Sequence, residues 1–246
     1  MAVIAGNWKM HMASDQAIEF LAELDLSGVS ERHEILLFPP EIYLAALATS
    51  EARNPRVQLG PQNIYWEDEG AFTGELSARM ASEVGANFVL IGHSERRHVF
   101  GETDEEVAHK VRAAQRHGLV PVVCVGETLE ERRANRVEEV ILRQLNAVID
   151  DLSLGRALIA YEPVWAIGTG ETATPKDASL AHETLRERLS QSLGAERARS
   201  VAILYGGSVK PSNAGALLST ANVDGVLVGG ASLDPRSFAE IAAAAL

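Results

Sequence analysis

Three side chains with acid–base chemistry stand at the ends of apolar runs. Glu162 closes Ala157–Tyr161 and is followed at once by Pro163. His93 comes after Phe88–Ile91 and Gly92, and Lys9 lies two residues beyond Asn7 at the end of Val3–Gly6. A carboxylate, an imidazole and an ammonium together suit proton transfer with stabilisation of developing negative charge. Two glycine-rich turns, Gly206-Gly207-Ser208 and Gly229-Gly230, follow further apolar runs and let backbone amides approach an anion. Pro39-Pro40, Gln62-Asn63 and Glu127 occupy equivalent places. A single polar loop residue is ordinarily a solvated or capping group. What points to one site is the recurrence of unusual residues in one kind of place.

That place is set by a period running along the whole chain. Strands are expected near Val3–Gly6, Glu34–Phe38, Val57–Pro61, Phe88–Ile91, Val120–Val125, Ala157–Tyr161, Val201–Leu204 and Gly225–Val228. They are nearly continuously apolar, as strands covered on both faces must be. Between them apolar residues return every three or four positions, as in Ala17-Ile18…Phe20-Leu21…Leu24 and Val137…Val140-Ile141…Leu145…Val148-Ile149. Ser14-Asp15, Thr103 with Glu106, and Thr174-Pro175 mark helix starts. Eight strands alternating with about eight helices in 246 residues is the count of a closed parallel (β/α)8 barrel. An open doubly wound sheet, which has fewer strands, is the competing architecture. With no linker or composition break, residues 1–246 read as one domain. In a barrel, the loops after the strands converge on one face and carry the chemistry.

Composition narrows the classes. The net charge of −12 argues against a protein that tracks nucleic-acid phosphates, though a small anion feels its pocket rather than the total. A single Cys124 forms no intrachain disulfide and fits a reducing, cytoplasmic setting. No apolar run approaches the roughly 18 residues that cross a bilayer, and the first residues do not have the order of a signal peptide. No metal-ligand spacing and no Walker A sequence is present. No cofactor is therefore expected.

Several motifs resemble the triosephosphate isomerase family. They are Gly6-Asn7-Trp8-Lys9-Met10, Gly92-His93-Ser94-Glu95-Arg96-Arg97, Tyr161-Glu162-Pro163-Val164-Trp165-Ala166-Ile167-Gly168-Thr169-Gly170 and Tyr205-Gly206-Gly207-Ser208-Val209, with Pro121–Leu129 and Gly225–Ser232. They stand in family order over essentially the full length. The resemblance implies a single-domain TIM barrel with eight parallel strands. It also implies interconversion of dihydroxyacetone phosphate and D-glyceraldehyde 3-phosphate through an enediol or enediolate. Such an enzyme serves glycolysis and gluconeogenesis, beside the pentose phosphate pathway.

The resemblance makes Glu162 the base and has Gly168, Ser208, Gly229 and Gly230 bind the phosphate. A short helix after the second glycine turn would aim its amides at the same anion. Ser94-Glu95 reads as a helix start, whose N-terminus disfavours a charged imidazole and leaves His93 neutral, donating to the enediolate. The other six histidines lack that setting. Lys9 supplies a cation for the phosphate and the developing oxyanion. Asn7 contacts substrate oxygens or positions Lys9. Glu95 is a partner for Lys9, with Arg96 or Arg97 as its ordinary alternative. Pro163–Ala173, stiff at Pro163 and bearing Val164, Trp165 and Ile167, reads as a lid that excludes water.

Asn63–Gly74 is long and carries Tyr65, Trp66 and Phe72. The resemblance implies a homodimer in which this loop enters the neighbour and Thr73 lies near the other active site. Folding back on its own barrel is the alternative. Gly168-Thr169-Gly170-Glu171-Thr172-Ala173 also fits a dinucleotide fingerprint, but it lies six residues past its strand and before the helix start, so that reading is rejected. Glu171 stands where many family members carry Lys, at the rear hinge of the lid, and Pro61 and His11 are further departures. Two other classes compete. One is a barrel glycosidase using Glu127 and Glu162, which in a retaining site would lie about 5–5.5 Å apart. The other is a non-catalytic phosphate-binding or adhesive protein.

Overall fold

A computed structural model describes residues 1–167 and 173–245. Eight parallel strands are present: β1 Val3–Asn7, β2 Glu34–Phe38, β3 Val57–Leu59, β4 Phe88–Ile91, β5 Val120–Val125, β6 Leu158–Tyr161, β7 Ala202–Tyr205 and β8 Gly225–Val228. They form one sheet in the order β3-β2-β1-β8-β7-β6-β5-β4. The β3–β4 seam is bridged by Asn87 N–H to Leu59 O at 2.9 Å and Leu90 N–H to Pro61 O at 3.1 Å. The sheet thereby curls into a nearly closed (β/α)8 barrel with helices outside.

Side-chain alternation divides the interior in two. Val3, Ala5, Leu36, Phe38, Phe88, Leu90, Val122, Cys124, Leu158, Ala160 and Leu204 form one buried cluster, and Leu227 joins it. These alternate residues fill the barrel. Their neighbours, such as Ile4, Ile35, Leu37, Val89 and Ile159, pack outward against helix residues including Phe20, Leu185 and Phe238. A strand covered on both faces needs continuous apolarity, which is why these segments were conspicuous.

The differences from expectation lie at element ends. β3 stops at Leu59 because Pro61 has no N–H for the ladder, and its carbonyl instead serves the seam to β4. Ser14-Asp15 does begin its helix, with Ser14 as the first helical residue. Ala13 caps that helix, and Gln16 Oε1 accepts Ala13 N–H at 2.9 Å. The amphipathic segment from Val137 is helical only to Asn146, with a single 3-10 turn at Asp151–Ser153. Thr103 and Thr174 do cap their helices, each closing a reciprocal pair with the acidic residue three positions on.

Candidate active site

The loops after β1, β4, β6, β7 and β8 surround a cavity of about 450 Å³. Its lining includes Asn7, Lys9, His93, Glu95 and Glu162 together with Ser208, Gly229 and Gly230. The sequence separates these residues widely; the parallel barrel brings them together because every strand ends on the same face.

His93 caps the helix Ser94–His98, and its Nδ1 accepts the Glu95 N–H at 3.3 Å. With Nδ1 used as an acceptor, the proton of the neutral ring sits on Nε2. Nε2 lies 2.9 Å from Glu162 Oε1, and the other carboxylate oxygen of Glu162 accepts Ser94 N–H at 2.8 Å. Glu162 is only 2% exposed. Burial alone would raise its carboxyl, but the His93 contact and the Ser94 N–H outweigh burial and hold it below the ordinary value. Burial likewise disfavours a charged His93, yet the adjacent carboxylate outweighs it and raises the ring above the usual imidazole value. The resting pairing therefore favours charge on His93, whereas the helix N–H on Nδ1 favours the neutral ring. Removing Glu162 from the pair tips the balance to neutrality.

Lys9 Nζ donates to Glu95 Oε1 at 2.6 Å, while Arg96 and Arg97 pair with Glu102 and Asp104. Asn7 is buried and its Oδ1 accepts the Lys9 N–H at 2.9 Å. Beside the Lys9 side chain, β8 leads into Gly229 and a single 3-10 turn, Gly230–Leu233. Gly206 passes close to the base, since a Cβ there would lie 2.9 Å from Glu162 Cγ. At Gly126 a Cβ would come within 1.7 Å of the Glu162 carbonyl oxygen, so only glycine lets β5 and β6 approach there.

Glu127 is not part of the cavity lining, contrary to its expected place among the converging residues. It is fully buried and accepts from Tyr161 OH at 3.1 Å, Trp165 Nε1 at 2.8 Å and Arg132 at 3.4 Å. Glu127 thus faces Tyr161, Trp165 and Arg132 rather than the cavity that Glu162 lines, which argues against the two-carboxylate glycosidase arrangement. Pro39-Pro40 and Gln62-Asn63 also stand outside the lining. Gln62 donates instead to backbone carbonyls, and Asn63 Oδ1 accepts from Lys110 at 2.8 Å. After Pro163, Val164–Ala166 forms a 3-10 turn, Ile167 lines the cavity and the Arg132 guanidinium lies 4.3 Å from the Trp165 ring centroid. Gly168, Glu171 and the Gly168-Thr169-Gly170 segment lie outside the described residues.

The aromatic loop packs largely on itself. Tyr65 stacks on Trp66 at 4.0 Å and meets Phe72 at 4.5 Å. Asp68 accepts from His117 at 2.8 Å and Arg116 at 3.2 Å, fastening the loop to the end of the helix Asp104–Arg116. Thr73 is exposed and does not line the cavity of its own chain.

The family model described as triosephosphate isomerase matches residues 2–245. Among curated relatives, the triosephosphate isomerase of Rhodopirellula baltica is 49% identical over 99% of this chain and 97% of its own. Those of Symbiobacterium thermophilum and Alkalilimnicola ehrlichii are 48% and 47% identical, each over 99% of this chain and 96% and 98% of their own. Fold, cavity and full-length similarity agree: the chain belongs to the triosephosphate isomerase family.

Proposed function

We propose that this chain interconverts dihydroxyacetone phosphate and D-glyceraldehyde 3-phosphate, with Glu162, His93 and Lys9 as the catalytic residues. The observation that carries the reading is the convergence of all three, with two glycine turns, on one cavity. Glu162 takes a proton from C1 of the ketose as the C2 oxygen gains negative charge. His93 Nε2–H donates to that oxygen, and Lys9 stabilises the charge. The ring then accepts the C1 hydroxyl proton, and Glu162 returns its proton to C2. No atom is gained or lost. The glycine turns hold the phosphate through backbone amides at Ser208, Gly229 and Gly230, joined by Gly168.

The resting contacts give this scheme its first step. Glu162 leaves the His93 and Ser94 protons to face the substrate, and Gly206 leaves room for the movement. A buried carboxylate freed of those donors is a stronger base. Asn7 fixes the Lys9 backbone, and Glu95 holds the ammonium until substrate arrives. Closure of Pro163–Ala173 then excludes water.

Residues 1–246 act as one catalytic domain, in the cytoplasm and as a homodimer. Exposed apolar side chains support the dimer: Met10 is 94% exposed, Val99 72% and Phe100 69%. Phe100 also borders the depression lined by Tyr65 and Trp66. A partner covering these residues would bring Thr73 to the second active site. A coupled assay of triose phosphate interconversion, without added metal or nucleotide, tests the activity; no turnover contradicts it. Sedimentation showing an active monomer at nanomolar concentration contradicts the dimer.

A further inference from the structure

Lys9 has a φ of +53°, in the left-handed region that a side chain with a Cβ rarely adopts. Two of the other three described non-glycine residues with positive φ are asparagines, which tolerate it; lysine has no such preference. A backbone held there persists only where its surroundings over-determine it. The contacts on Lys9 show what does so. Its N–H goes to Asn7 Oδ1 at 2.9 Å, and its carbonyl accepts Gln62 Nε2 at 2.8 Å. The same Gln62 nitrogen donates to Phe38 O at 2.9 Å, which also accepts the Trp8 N–H at 3.1 Å. One carboxamide therefore ties the turn after β1 to the end of β2 from its own place beyond β3.

We propose that Gln62 is a positioning residue for the reaction. Its two N–H donors lock the left-handed turn that aims the Lys9 ammonium into the cavity. Gln62 itself is absent from the cavity lining, so it acts on substrate only through Lys9. The chemistry requires a primary amide. Two carbonyls converge on one nitrogen, which glutamate at neutral pH answers only with acceptors and methionine with nothing. If the turn relaxes toward ordinary backbone angles, the direction of the Cα–Cβ bond changes, and a four-carbon stem carries that change out to Nζ. Glu95, which is about half exposed, is the one side chain among the described residues that holds Nζ at rest, and it does not constrain the backbone. The inference rests on the proposed role of Lys9 at the substrate.

The test is a double-mutant cycle of steady-state kinetics with triose phosphate. It compares the parent, Gln62→Met, Lys9→Ala and the double variant, with Tm recorded for each. Gln62→Met is expected to lower kcat/KM by about 10- to 100-fold, the scale of a catalytic group misplaced by about 1 Å. In the Lys9→Ala background the same change should cost less than about twofold, because the group being positioned is gone. An equal loss in both backgrounds, or a lower Tm with kcat and KM unchanged, overturns the proposal in favour of a purely structural anchor. Gln62→Glu keeps the size of the side chain. Its deficit relative to the parent should shrink as pH falls and the carboxyl becomes a donor; a deficit that is absent or independent of pH counts against the inference. A parent without turnover defeats the functional reading instead. In that event a crystal structure of Gln62→Met still decides the positioning step: φ of Lys9 remaining positive, with Nζ still on Glu95, refutes it.

Discussion

His93 and Glu162 are hydrogen-bonded to each other at rest, Nε2 to Oε1 at 2.9 Å. The base and the electrophile of the proposed reaction thus satisfy one another in a buried site. Substrate oxygens must replace Glu162 as the acceptor for Nε2–H before the carboxylate is free to act. This exchange keeps an unpaired charge from being buried in either state, which would otherwise cost several kcal/mol. It also means that the polarities of both groups are set by what lies between them.

His93→Gln retains a donor but not a ring that both gives and accepts protons. We expect kcat to fall about 100-fold, the lower end of what a positioned proton-transfer group supplies. Circular dichroism should be unchanged. Full retention of kcat removes His93 from the scheme.

Gly206→Ala places a methyl group 2.9 Å from Glu162 Cγ in the resting position. The carboxylate is then displaced or blocked in its turn toward substrate. A loss of about 100-fold in kcat is expected, with a smaller rise in KM because Gly206 also belongs to the turn that carries Ser208. Kinetics equal to the parent would show that Glu162 does not need this space.

His182 makes stability depend on pH. It is completely buried, its Nδ1 donates to Asn222 O at 2.9 Å, and Nε2 has no partner among the described residues. Burial lowers its pKa from 6.5 to about 4, with the charge of Arg186 acting in the same direction and the Asn222 carbonyl opposing. The unfolded chain therefore takes up a proton near pH 6.5, before the folded one does. The stability this group provides is complete above pH 6.5 and is lost as pH falls toward 4, by about 3 kcal/mol in all. Urea unfolding across that window should show the slope, and His182→Gln should flatten it. An identical slope in the variant contradicts the assignment.

Much of this architecture is legible in the residues themselves. Strands such as β2, β4, β5 and β8 are continuous apolar runs because both their faces are covered, and their limits agree with the sequence. The end of β3 was less clear because its continuation past Leu59 depends on which neighbour the Gly60-Pro61 segment faces. Glu127 illustrates the limit at the site. Its position beyond a strand equals that of true cavity residues, but its direction is set by Tyr161, Trp165 and Arg132, which no local pattern reveals. Gln62 is similar, since its partners are carbonyls 53 and 24 positions away. The glycine turns, Lys9, His93 and Glu162 were legible because each is an unusual residue in a place that a barrel makes common ground. Thr73 is exposed and lies outside the cavity of its own chain, and the place proposed for it at a second active site has no counterpart in one barrel.

The account turns on Glu162 as the group that moves the carbon-bound proton. Comparing kcat of the parent with that of Glu162→Gln, at matched folded content, addresses it most directly. The variant keeps the size of the side chain and loses the basic carboxylate, with one of its two accepting oxygens becoming a donor, so kcat should fall by at least about 1,000-fold, toward the upper part of what a positioned base supplies. A variant that turns over triose phosphate within a factor of about two of the parent would contradict the mechanism, since loss of a working base always costs far more than that.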